Sequence, residues 1–209
     1  MMNTRNVLRA FSIVALLALV MGVLGVQAVA QNAAGSAEMG KPTSSTEPVV
    51  HDLPPNVPGH TEFLDFKNGF RGIAFGTPVG QFKNLEILHD RGAIKAYRKT
   101  DDTMDIGNVT LTNIVYIFVH DKFYAVSLHA DGGYNGTNLL KVFQAAFGAG
   151  AHPEGTSGKY FWAGKVAGAH FFEDVEPNHE VRGWIGSLEI QKDYDKVMQE
   201  AFTSAAQQL

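Results

Sequence analysis

Two runs of β-branched and aromatic residues, Val109–His120 and Phe123–Ala130, stand two residues apart in this chain. Such runs are strands, and a two-residue connection permits only an antiparallel hairpin. With Asp121-Lys122 as the turn, Val119 pairs with Tyr124, Ile117 with Val126 and Val115 with Leu128. That face is apolar throughout and is expected to meet the core. The other row, Tyr116, Phe118, His120, Phe123 and His129, is then an aromatic and imidazole surface and a candidate binding site. Its rival reading is a second core layer, covered by the second hairpin or by the N-terminal strands. Asp-Lys is poor chemistry for a primed turn, which favours Asn-Gly.

The segments around the hairpin set the fold class. Leu85–His89 and Ala93–Arg98 read as strands about Asp90-Arg91-Gly92, and Thr77-Pro78 opens a short helical turn towards Phe82. Thr137 is placed to cap a helix over Asn138–Phe147, in which Leu139, Leu140, Phe143 and Phe147 share one face before Gly148. Tyr160–Gly164, Val166–Phe172 and Arg182–Ile190 read as further strands. Tyr194, Val197, Met198, Ala201, Phe202 and Ala205 trace the stripe of a C-terminal amphipathic helix. Short connections between neighbouring strands predict an α+β fold, a mainly antiparallel curved sheet with helices on one face. Each half reads as hairpin plus helix, without residue identity between the halves.

Every aromatic residue except Phe11 lies after residue 60, so a single α+β domain is expected over 61–209. Residues 31–60 hold five of the eight prolines and the cluster Thr43-Ser44-Ser45-Thr46, which reads as a disordered linker. Residues 1–30 read as a signal peptide. Arg5 and Arg9 precede the uncharged apolar run Phe11–Val26, and Ala28-Val29-Ala30 is a small-residue cleavage pattern before Gln31. The chain is therefore expected to be exported to the periplasm, with no membrane span left after cleavage. The alternative is an anchor formed by the uncleaved N-terminal segment.

Charge and composition narrow the chemistry. Removing the leader takes two Arg from a net charge of −4, leaving −6, and no basic tract follows. Nucleic acid is thus not expected as a partner, because phosphate neutralisation supplies most non-specific affinity. With no Cys, the chain cannot form disulfides, thiolate metal sites or a cysteine nucleophile. No cofactor-binding glycine motif, Walker loop or zinc helix occurs, and no cofactor is implied.

Ser127, His129 and Asp131 stand two apart on one strand, in the order nucleophile, base and acid. Strand neighbours at that spacing are about 7 Å apart, which is expected to keep the hydroxyl out of reach of the imidazole. His120 and His129 lie about 20 Å apart along the hairpin, too far to share an ion. His89, His152 and His170 have no partner at ligand spacing and read as surface or half-buried residues. Glu173, Asp174, Glu176 and His179 are an alternative metal set, and Asp101, Asp102 and Asp105 crowd another loop. Neither has the alternating ligands and bend glycine of a calcium loop, so both read as solvated acidic turns.

FRGIAFGTP (70–78), HDKFYAVSL (120–128), FQAAFGAG (143–150) and YFWAG (160–164) together resemble a group of small exported bacterial proteins and lipoproteins of unassigned function. The similarity spans about residues 66–192, and its motifs are Gly, aromatic and turn residues that specify packing. The resemblance implies no catalytic residue. The reading reached is an exported, non-enzymatic binding or interaction module for an unknown envelope protein or small ligand. The alternative is an envelope hydrolase with a dispersed active site.

Overall fold

The computed structural model describes residues 61–174 and 179–208; the expected leader and linker, with His51 and His60, lie outside them. The chain forms α1 (Glu62–Lys67), β1 (Gly69–Phe70), β2 (Ile73–Ala74), a 3-10 turn (Val79–Gln81), β3 (Leu85–Arg91) and β4 (Ile94–Lys99). Then follow β5 (Asp105–Ile106), β6 (Val109–Thr110), β7 (Asn113–Val119), β8 (Lys122–Asp131) and α2 (Gly133–Phe147). Last come β9 (Lys159–Ala163), β10 (Ala167–Asp174), β11 (Glu180–Ser187) and α3 (Leu188–Ala206). Seven strands make one antiparallel sheet in the order β3-β4-β7-β8-β11-β10-β9. This is the α+β, mainly antiparallel architecture that the short connections predict.

The central hairpin forms with its turn one residue earlier than expected. Val119 pairs with Lys122, so His120 and Asp121 make the turn, both at positive φ (48° and 59°). His and Asp tolerate the left-handed region better than most residues, and a primed turn demands it at both positions. Moving the turn by one residue shifts each pairing by two positions and by itself keeps the same faces together; one inserted residue exchanges them. A bulge then inserts Tyr124, and beyond it Ile117 faces Ala125, Tyr116 faces Val126 and Ile114 faces Leu128.

The core face accordingly carries Ile114, Tyr116, Phe118, Phe123, Val126, Leu128, Val181 and Ile185, with Phe171 and Trp162 beyond. Val115 and Ile117, expected in the core, lie half-buried on the other face. Leu64 of α1 and Leu139, Phe143 and Phe147 of α2 close the core. Phe143 fits because Gly183 has no side chain; a Cβ there would stand 2.7 Å from its Cζ.

The expectation of helices on one face is refined at one point. Ser187 ends β11 and its hydroxyl accepts from Ile190 N–H at 3.2 Å, so α3 begins without a loop. It crosses the opposite face, with Leu188 against Gly168 and Tyr194 stacked on Tyr124 at 5.3 Å. Tyr194 and Met198 are buried, whereas Ala201, Phe202 and Ala205, expected on the same apolar stripe, are exposed. Two further boundaries differ. Helix α2 starts at Gly133, which makes Thr137 an interior residue, and Leu188–Ile190 belong to α3 instead of the last strand.

Candidate functional site

The hairpin register disperses the expected binding row. Tyr116, Phe118 and Phe123 are 1%, 0% and 0% exposed and sit at the centre of the core. Phe82 packs against Phe118 at 5.0 Å and Phe123 at 5.2 Å, Phe75 against Phe123 at 5.1 Å and Phe70 against Tyr116 at 6.0 Å. The N-terminal segment thus covers this row as a second core layer. His120 is exposed in the turn, and His129 lies on the opposite face at the far end of the hairpin, facing Asn113. These five residues are therefore not one surface.

The FRGI opening serves the same packing. Arg71-Gly72 is a two-residue turn with both φ positive (50° and 78°), joining Phe70 to Ile73. The Arg71 guanidinium reaches the buried Asp102 carboxylate at 3.1 Å, and Asp102 also accepts from the Tyr116 hydroxyl at 2.6 Å. Burial, then the Asp102 carboxylate, raises the Tyr116 pKa, which keeps the phenol protonated as the donor.

The other sheet face holds a different set of side chains. Three rows cross β9, β10, β11, β8 and β7 in register. Ala163, Gly168, Gly186, Ala125 and Ile117 form a row of mostly small residues beside which α3 crosses. Phe161, His170, Trp184, Ser127 and Val115 form the second row. Lys159, Phe172, Arg182, His129 and Asn113 form the third, with Asp174, Glu180 and Asp131 as an acidic rim. His170, Trp184 and Ser127 are buried, while Phe161, Phe172, Arg182, His129 and Val115 are half-exposed.

Within this face, His170 lies parallel to Trp184 (4.9 Å, 5°) and touches Phe172 at 4.7 Å. Burial pushes its pKa down to about 3, so the stacked ring is neutral. It is a core-like residue, contrary to its expected surface or half-buried place. Ser127 Oγ and His129 Nε2 are 2.9 Å apart, a hydrogen bond that strand spacing alone discounts. The Cα atoms do stand two residues apart, but the imidazole reaches back along the strand to span the interval. Burial, then the Arg182 guanidinium, lowers the His129 pKa and favours a neutral ring. Arg182 pairs with Glu180, and its Nε is buried without a hydrogen-bond partner among the described residues.

No protein-family model, curated protein or solved structure matches the chain. What this face can do therefore rests on its own chemistry: aromatic rings, a Ser–His pair and a cation beside an acidic rim. Sequence reasoning missed Phe161, Phe172, Arg182 and Trp184. Their signal was i, i+2 spacing on β9, β10 and β11, which marks a shared face once the strands are in register.

The alternative metal set does not converge among the described residues. Glu173 and His179 meet at 2.6 Å, but Asp174 points to the opposite face and Glu176 lies outside the described residues. The second acidic loop is occupied by internal partners, with Asp101 on Lys99, Asp102 on Arg71 and Asp105 on Thr110. Among the described residues no group of three metal-ligating side chains occurs, and no helix is long and apolar enough to cross a membrane.

Proposed function

We propose that the protein is an exported, non-enzymatic binding module of the periplasm or envelope, and that it belongs with the small exported bacterial proteins it resembles. Its ligand surface in this reading is the part of the second sheet face that α3 leaves open, around Phe161, Phe172, Arg182, His129 and Val115. The observation that carries the reading is the set of half-exposed apolar, aromatic and cationic groups in two adjacent rows across β9, β10, β11, β8 and β7. Sheet faces that stay partly open with aromatic groups on them are characteristic of sites for ligands or partners.

The test uses the full chain with Phe161→Ala and Phe172→Ala together, compared with Tyr134→Ala, a residue 72% exposed on α2. The wild type and both variants are immobilised and exposed to extract of the native envelope. The reading expects a retained component, identified by mass spectrometry, that the double variant loses and Tyr134→Ala keeps, with both variants still folded by circular dichroism. Equal retention by all three proteins contradicts it.

A hydrolase is the second reading, favoured by the 2.9 Å contact between Ser127 Oγ and His129 Nε2. Three features weigh against it. Ser127 is only 6% exposed, and no carboxylate hydrogen-bonds the imidazole among the described residues. Its lowered pKa also makes His129 a weaker base. Labelling of the full chain by a fluorophosphonate, abolished by Ser127→Ala, would establish the hydrolase; absence of labelling rejects it.

A further inference from the structure

Helix α1 holds two aromatic rings out of the fold. Phe66 is 90% exposed and Phe63 is 61% exposed, and their spacing of three residues puts both on the side of the helix away from Leu64, which is buried. They belong to a fixed element. The Asp65 carboxylate accepts from the backbone N–H groups of Lys165 (2.6 Å), Val166 (2.9 Å) and Ala167 (3.2 Å), and Thr61 N–H donates to Ala163 O at 3.1 Å. Those bonds join α1 to the β9–β10 turn, whose Val166 is itself exposed. Holding rings outward in an ordered segment leaves apolar surface in water at a standing cost, and such surface marks an interaction site.

We infer that this end of the domain is a peripheral bilayer contact, in which Phe63 and Phe66 dip into the headgroup boundary of a phospholipid surface. Two observations select lipid as the occupant. The rings protrude instead of lining a groove, and insertion at an interface needs no complementary shape. Lys67 on the same helix and Lys165 in the turn that Asp65 holds are exposed, so cations are within the patch for lipid phosphates; Lys67 lies over the Phe147 ring and Glu62 is exposed beside Phe63, so the rings supply the greater part of the contact. Two rings offer less apolar surface than one acyl chain, which alone binds only marginally, so the contact is reversible and orients the domain more than it anchors it. It is separate from the open sheet face, and its failure leaves the binding-module reading untouched.

The chain's two tryptophans, Trp162 and Trp184, are both buried, so a tryptophan added at the patch reports on it alone. Full-length Phe66→Trp and Phe63→Trp are mixed with phosphatidylcholine/phosphatidylglycerol vesicles whose acyl chains carry bromine, a short-range quencher. Quenching of the added emission, with wild-type emission unchanged, is the expected result. Quenching that fails with both variants while the protein sediments with the vesicles means that another segment binds lipid, and overturns the inference. Protein that does not sediment at all overturns it too, as does an added tryptophan already shielded from acrylamide before lipid is present, which would mean that protein covers the rings.

Discussion

Lowering the pH should destabilise this fold in a way traceable to His170. Its ring is 5% exposed, lies parallel to Trp184, and has a pKa pushed from 6.5 to about 3 by burial. The folded state thus holds it neutral, whereas the unfolded chain takes a proton below pH 6.5. Between those two values the unfolded state binds more protons, so stability is complete above the unfolded pKa and falls as pH drops towards the folded one. The slope is about 1.4 kcal/mol per pH unit. At about pH 4.5, two units below the unfolded value, His170 alone should remove about 2.7 kcal/mol. Phe in its place keeps a flat ring beside Trp184, and its extra volume costs about 1–3 kcal/mol at every pH. That cost shifts the curve without tilting it. Urea unfolding followed by tryptophan fluorescence at about pH 7.5 and about pH 4.5 separates the two effects. The wild type should lose more stability across the interval than His170→Phe, by about 2.5 kcal/mol. Other titrating groups, His129 among them, are present in both proteins and cancel. An equal loss in both would refute the claim that His170 is held neutral by burial.

Other substitutions test the packing. Phe118→Ala, in the centre of the core, should cost about 3–5 kcal/mol in chemical unfolding, where an exposed ring would cost almost nothing. Arg71→Met removes the cation beside the buried Asp102 carboxylate and should cost about 1–3 kcal/mol, partly recovered by adding Asp102→Asn. Gly183→Ala drives a methyl against the Phe143 ring of α2 and should lower stability by about 1–3 kcal/mol, measured by thermal melts calibrated with urea.

The elements themselves were largely legible in the sequence, because β-branched runs and helical stripes are local signals. The two hairpins either side of α2, and α2 and α3 themselves, lie where periodicity puts them, within a few residues. Faces were harder. Asp121-Lys122 and His120-Asp121 are both two-residue turns, and only the second places left-handed backbone on residues that tolerate it. The bulge at Tyr124 then put Val126 and Leu128 on the same face as Tyr116, Phe118 and Phe123, and Phe70, Phe75 and Phe82 cover that face, which is why the expected surface is core. The open face assembles residues from five strands, and no spacing within one strand can show which side chains adjoin across the sheet. Side-chain reach was the other gap: Ser127 and His129 looked too distant because strand rise measures the backbone, not the imbalance in length between a hydroxyl and an imidazole.

The central claim, that the open sheet face is where the protein meets its ligand, is tested most directly by a photocrosslinker in place of Phe172. A benzophenone amino acid there lies in the half-exposed row beside Arg182 and His170. Full-length protein produced with its native envelope and irradiated should yield a discrete adduct from this position, and none from the same amino acid at Tyr134 on α2. The same adducts from both positions, or none from Phe172, would contradict the account.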